Sequence, residues 1–78
     1  MRTYRLEPEG SYTVDCITVD TANGFKHIAR LYRGGTLIDV VSQLYINRTW
    51  ELFEYETVLK KIINDNFTEV EKSHISIR

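Results

Sequence analysis

Three polar residues in the β-rich first half have the chemistry of an acyl-transfer triad. Two tight turns would set Asp20 beside His27, and His27 beside Ser42, in one row across three strands. Neighbouring strands lie about 4.8 Å apart, and short side chains placed side by side rarely reach the directions a nucleophile and its base need. No glycine-framed nucleophile turn stands near Ser42 to build an oxyanion hole. The row therefore reads as polar residues near a sheet end. Glu51, Glu54 and Glu56 could pair as acid and base carboxylates. Seventy-eight residues leave little room for a substrate cleft, however, and glutamates at a helix start already have an electrostatic reason to be there. They read as a solvated helix face.

Metal chemistry finds no support. His27 and His74 are far apart, and no paired cysteines or His-x-x-x-His spacing occur. Cys16 reads as a small buried hydrophobe rather than a nucleophile. No catalytic residue, metal ligand or cofactor is expected, and the chain is not read as an enzyme. Lys26, Arg30 and Arg33, with Tyr32 and Trp50 as stacking surfaces, could hold single-stranded nucleic acid. Ten basic against eleven acidic residues leave a net charge of −1, which weighs against a polyanion as main partner. A small nucleic-acid-binding regulator stays as the alternative reading.

The elements that would position these residues follow from turn chemistry and periodicity. Residues 3–6 form a short first segment, set off by Pro8-Glu9-Gly10. Tyr12 to Val19 is rich in β-branched and aromatic residues and reads as a strand. Asn23-Gly24 signals a type I′ hairpin with positive φ at both central positions. Phe25 to Tyr32 is the return strand, Gly34-Gly35 a second such turn, and Thr36 to Ile46 a third strand, long enough for a bulge. This register sets Val19 against Ile28, Ile17 against Arg30, Arg30 against Asp39 and Ile28 against Val41. Opposed residues share a face. One face then carries Val14, Cys16, Phe25, Ala29, Leu31, Ile38, Val40 and Leu44. The other carries Ile17, Val19, Ile28, Tyr32, Leu37 and Val41.

Helical periodicity begins near Trp50, with Tyr55, Val58, Leu59, Ile62, Ile63 and Asn66 on one stripe. Asn47 or Thr49 would cap it, and Asn64-Asp65-Asn66 would end it. Ile75 and Ile77 alternate as in a short extra strand. The expected fold is α+β, one domain over residues 1–78. An antiparallel sheet of three or four strands carries one amphipathic helix on its Cys16–Leu31–Ile38 face.

One helix covers only one side of a sheet. The apolar residues on the reverse then mark a partner site. The expected contact residues are Ile17, Val19, Ile28, Arg30, Tyr32 and Val41. At the strand–helix junction Trp50 reads first as a plug for the end of the core, with Arg48 paired to a glutamate; the sharper reading adds Arg48 and Trp50 to the contact residues, since Trp, Tyr and Arg dominate interface hot spots. The same face could build a homodimer. The lone cysteine excludes an internal disulfide and fits a reducing compartment. No apolar run reaches the roughly 18 residues of a membrane span, and Met1 to Glu7 has no apolar leader core. The expectation is a cytoplasmic protein.

The run Asn47-Arg48-Thr49-Trp50-Glu51-x-Phe53-x-Tyr55-Glu56-Thr57-Val58-Leu59 resembles a motif of small bacteriophage and mobile-element proteins. In those proteins it follows a strand and opens a helix, as after Tyr45-Ile46 here. The resemblance covers roughly residues 24–63. It implies a phage or prophage origin, and a role like that of small phage proteins that inhibit host defence, CRISPR effectors included, by occluding a surface in the host cytoplasm.

Overall fold

In a computed structural model of the chain, which describes residues 1–7 and 11–78, five strands form one antiparallel sheet. They are β1 (Arg2–Glu7), β2 (Tyr12–Thr21), β3 (Gly24–Arg33), β4 (Thr36–Tyr45) and β5 (Ser76–Ile77). Their order across the sheet is β4-β3-β2-β1-β5. Helix α1 (Leu52–Asn66) lies on one face, and a short helix α2 (Glu69–His74) leads into β5. The α+β class and the single long helix agree with the sequence reading. The sheet has five strands rather than three or four, because both chain ends join it. Arg2–Glu7 pairs with β2, and Ile77 pairs back onto Leu6. The Pro8-Glu9-Gly10 separator lies outside the described residues.

The two hairpins differ in how they turn. Gly34 and Gly35 both take positive φ, at 55° and 86°, as a type I′ turn requires. At the first hairpin only Gly24 does, at 133°. Ala22-Asn23 form the tip, and Thr21 pairs with Gly24. The Thr21 hydroxyl drives this choice: it donates to the Gly24 carbonyl at 2.8 Å and accepts from the Asn23 N–H at 3.2 Å. The register is thereby shifted two places from the expected one. Ile17 opposes Ile28, and Val19 opposes Lys26. A two-place shift preserves the period of the pleat, so the faces of β2 and β3 stand.

β4 changes face partway along. Leu37 still pairs with Tyr32, but Asp39 pairs with Leu31, so Ile38 is the extra residue of a bulge. Every later residue of β4 is exchanged between faces relative to the unbulged register. Val41 now opposes Ala29 beneath the helix, while Val40 and Leu44 oppose Arg30 and Lys26 on the reverse. Placing Val41 on the open face is therefore corrected, as is placing Val40, Leu44 and Ile38 under α1.

The core sits between the sheet and α1. Leu6, Val14, Cys16, Ala29, Leu31, Leu59, Ile62 and Phe67 are buried, with Tyr4, Tyr12, Val41, Tyr55, Val58 and Ile63 packed around them. The helical stripe read from the sequence is the one that faces the sheet. The cap differs, since Glu51 rather than Asn47 or Thr49 occupies the N-cap position, and the Glu54 carboxylate accepts the Glu51 N–H at 3.1 Å. At the other end Phe67 leaves the helix and meets Tyr12 edge-on, 5.0 Å between ring centres. No helix among the described residues is long and apolar enough to cross a membrane.

Candidate binding surface and the buried histidine

The sheet face away from α1 has no covering element among the described residues. Ile17, Val19, Ile28, Tyr32, Leu37, Val40 and Leu44 share it by register. Ile17, Ile28 and Tyr32 are half-buried by their neighbours in the sheet. Val19, Leu37, Val40 and Leu44 are 42–50% exposed, far above what side chains of this type keep in a core. Arg30 lies among them. Its guanidinium sits 3.6 Å from the Asp15 carboxylate and 5.6 Å from the centre of the Tyr32 ring, and its Nε has no hydrogen-bond partner. The result is an apolar strip broken by one partly satisfied arginine. That composition resembles the centre of a protein interface, where aromatic, aliphatic and arginine side chains concentrate.

The eight residues expected at a partner site separate into three groups. Ile17, Val19, Ile28, Arg30 and Tyr32 stand together on the open face. Val41 is on the other side, under the helix. Arg48 and Trp50 belong to the connection between β4 and α1, also on the helix side. Arg48 pairs with Asp20 and lies over Phe25, 5.8 Å from its ring centre; both charged side chains are largely exposed. Trp50 has neither ring face free. His27 stacks on one at 4.7 Å and 8°, Tyr55 on the other at 4.8 Å and 16°, while Nε1–H donates to Thr18 Oγ1 at 2.9 Å. The half-buried indole is engaged within the fold by these two rings, which leaves little of its π surface for a stacked base.

His27 is the residue whose place the sequence hid. It is 2% exposed and opposes Thr18 and Gln43, not Asp20 and Ser42. Ser42 lies on the opposite face of the sheet, beside Ile28. The triad row does not exist, because a two-place shift in one hairpin and the bulge in the other move both partners. What the imidazole meets instead is Glu54 Oε2 at 2.7 Å through Nδ1 and the Asn47 carbonyl at 2.9 Å through Nε2. A carbonyl only accepts, so Nε2 carries hydrogen. One further hydrogen lies between Nδ1 and the carboxylate. Neither nitrogen is left to serve a substrate. Tyr45 stacks on the second ring face at 4.4 Å. The group ties β3 to the loop after β4 and to the first turn of α1.

Glu54 is 5% exposed, so its reading as part of a solvated helix face is also corrected. The signal was present: Glu54, Val58 and Ile62 are spaced four apart, which places a carboxylate on the buried stripe. A carboxylate there needs a partner, and His27 supplies it.

Cys16 is buried, and desolvation first, then the nearby Asp15 charge, push its thiol up to about 11. It stays protonated at neutral pH and is no nucleophile. Among the described residues no three His, Cys, Asp or Glu side chains converge as a metal site would need. The basic residues also disperse. Lys26 and Arg30 face the open side, whereas Arg33 lies over Tyr12 on the helix side, 5.5 Å from its ring centre. No family model, no curated protein and no solved structure matches the chain.

Proposed function

We propose that this protein is a non-catalytic binding module that acts by covering a surface of another protein with its open sheet face. The observation that carries this reading is the apolar strip of half-exposed Val19, Val40 and Leu44 and half-buried Ile17 and Ile28, with Arg30 and Tyr32, on the side that α1 leaves bare. The motif at 47–59 adds the biological setting. It favours a phage or mobile-element protein that inhibits a host protein, a CRISPR effector being the first to test, by steric occlusion without turnover. The nucleic-acid reading loses its main support with Trp50 stacked on both faces and Arg30 held by Asp15.

The test is functional and uses one surface change. Ile28 lies on the open face outside the buried core, so Ile28→Asp places a charge in the strip, and an unchanged circular dichroism spectrum and melt are required before the two proteins are compared. In bacteria with an active CRISPR system, the wild-type chain is expected to restore plaque formation by a targeted phage, and Ile28→Asp to abolish that rescue. A stoichiometric complex with the effector, little affected by salt, should form with wild type and weaken by about tenfold or more with the variant, as loss of a hot spot of about 2 kcal/mol implies. Equal rescue and equal binding by the two proteins would sink the reading. Binding to DNA or RNA that falls steeply with salt would replace it with the nucleic-acid alternative.

A further inference from the structure

The edge of the sheet formed by β4 carries a second, independent signal. β4 is ten residues long and has only β3 as neighbour. In an antiparallel ladder alternate residues turn both backbone groups to one neighbour, and the residues between turn theirs to the other side. The Val40 N–H donates to the adjacent Asp39 carboxylate at 2.8 Å rather than across to β3. Val40, Ser42 and Leu44 therefore present their N–H and C=O groups at the open edge. Natural edges are usually guarded by lysine, proline or a bulge set in the exposed stretch. Thr36–Tyr45 contains no lysine, arginine or proline, and its bulge at Ile38 lies near the hairpin, outside Val40–Leu44. The opposite edge is different: β1 carries Arg2 and Arg5 and is partly closed by β5.

We infer that β4 pairs antiparallel with β4 of a second copy of this chain, about a two-fold axis through Ser42. The register follows from the edge groups. Outward-facing residues must oppose outward-facing residues, and only an axis at Ser42 uses all three. Ser42 then opposes Ser42 of the second copy, and Val40 opposes Leu44 of the second copy in both directions. Each such pair exchanges two backbone hydrogen bonds. Val40 and Leu44, each about half exposed in the single chain, cover one another on the open face. Asp39, the one charge on the strand, opposes Tyr45 of the second copy and stays well away from its own counterpart. It releases the Val40 N–H to the new ladder while keeping its bond to Asn66 Nδ2, 2.9 Å in the single chain. A net charge of −1 sets no barrier between two copies. The two open faces become one continuous surface on the same side of a doubled sheet.

Sedimentation over a concentration series is the first measurement, with a reversible monomer–dimer equilibrium expected. Ser42→Pro removes only an outward N–H, which an edge strand tolerates, and should leave a monomer with unchanged circular dichroism. Because Cys16 is buried, Ser42→Cys provides a clean cross-link. Opposed residues of a hydrogen-bonded antiparallel pair lie about 5.5 Å apart at Cα, within disulfide reach. Mild oxidation should convert this variant largely to covalent dimer, and Ile28→Cys should stay uncoupled. A monomer at every concentration, with Ser42→Cys failing to couple, overturns the inference. So does coupling through Ile28→Cys instead, which would mean face-to-face association. The dimer shares Val40 and Leu44 with the proposed host-binding strip but not Ile17, Val19 or Ile28, so loss of the dimer is read on Ser42→Pro and loss of inhibition on Ile28→Asp.

Discussion

At the scale of single residues, the energetic centre is the His27–Glu54 pair. Two polar groups in a core this small stay only while each satisfies the other. Removing one partner of a buried pair strands the other and costs about 3–5 kcal/mol. Glu54→Ala is therefore expected to lower urea stability by about that amount, enough to unfold most of a small domain. His27→Phe should cost a similar amount, with Glu54 left unpaired. The double variant His27→Phe/Glu54→Met should recover much of the loss, since well-packed apolar groups often replace a buried ion pair without penalty. If the two single effects simply add, the two side chains do not act as a coupled pair. Cys16 supplies a pH test. Its thiol is raised in the folded chain from 9.0 to about 11, so the folded state holds its proton more tightly than the unfolded state. The stabilisation is complete below pH 9.0 and is lost as pH rises toward about 11. Thermal melts of wild type and Cys16→Ala should diverge in that window, with the variant showing the shallower alkaline decline.

At the scale of elements, the strands and the helix could be read from residue types, while their mutual register could not. Val14, Cys16, Leu31, Leu59 and Ile62 announce a buried stripe by spacing alone, and they form the core. The type I′ turn at Gly34-Gly35 was legible for the same reason, because two adjacent glycines meet its backbone demand. The first hairpin departs from the Asn-Gly expectation because Thr21 competes for the turn with its own hydroxyl, a local bond that outweighs the Asn-Gly preference. The bulge at Ile38 has no turn residue to mark it; what selects it is packing, since it brings Val41 and Tyr45 to the helix side. Helix α2 is legible in the residues of its cap. Thr68 and Glu71 form a capping box, the Thr68 N–H donating to Glu71 at 2.8 Å and the Glu71 N–H to the Thr68 hydroxyl at 3.2 Å. The backbone bond from Thr68, then its hydroxyl, hold the Glu71 carboxyl below its usual range. Gly24 offers the sharpest test at this scale. At φ 133° an added Cβ would stand 2.6 Å from the Tyr45 carbonyl oxygen. Gly24→Ala should thus destabilise by about 1–3 kcal/mol, measured as a lower denaturation midpoint. A neutral outcome would mean that the end of β4 yields freely.

For the whole molecule, the lopsided arrangement of one covered and one bare sheet face was foreseeable, because the chain holds one long amphipathic stripe. Which side chains lie on the bare face was only partly foreseeable. Ile17, Val19, Ile28, Arg30 and Tyr32 kept their place because a two-place shift is silent to the pleat. Val41 lost its place because a one-residue bulge is not. Arg48 and Trp50 were grouped with them by composition, and composition does not say which side of the sheet a connecting loop takes. The stack of Tyr45, His27, Trp50 and Tyr55, closed by Arg2 at 4.9 Å from the Tyr55 ring centre, has a further use. The chain holds a single tryptophan, so its emission reports on this one column. Unfolding hands the half-buried indole to water, so its emission should move to longer wavelength, and the protein carries its own optical gauge of whether β3 and the first turn of α1 remain joined.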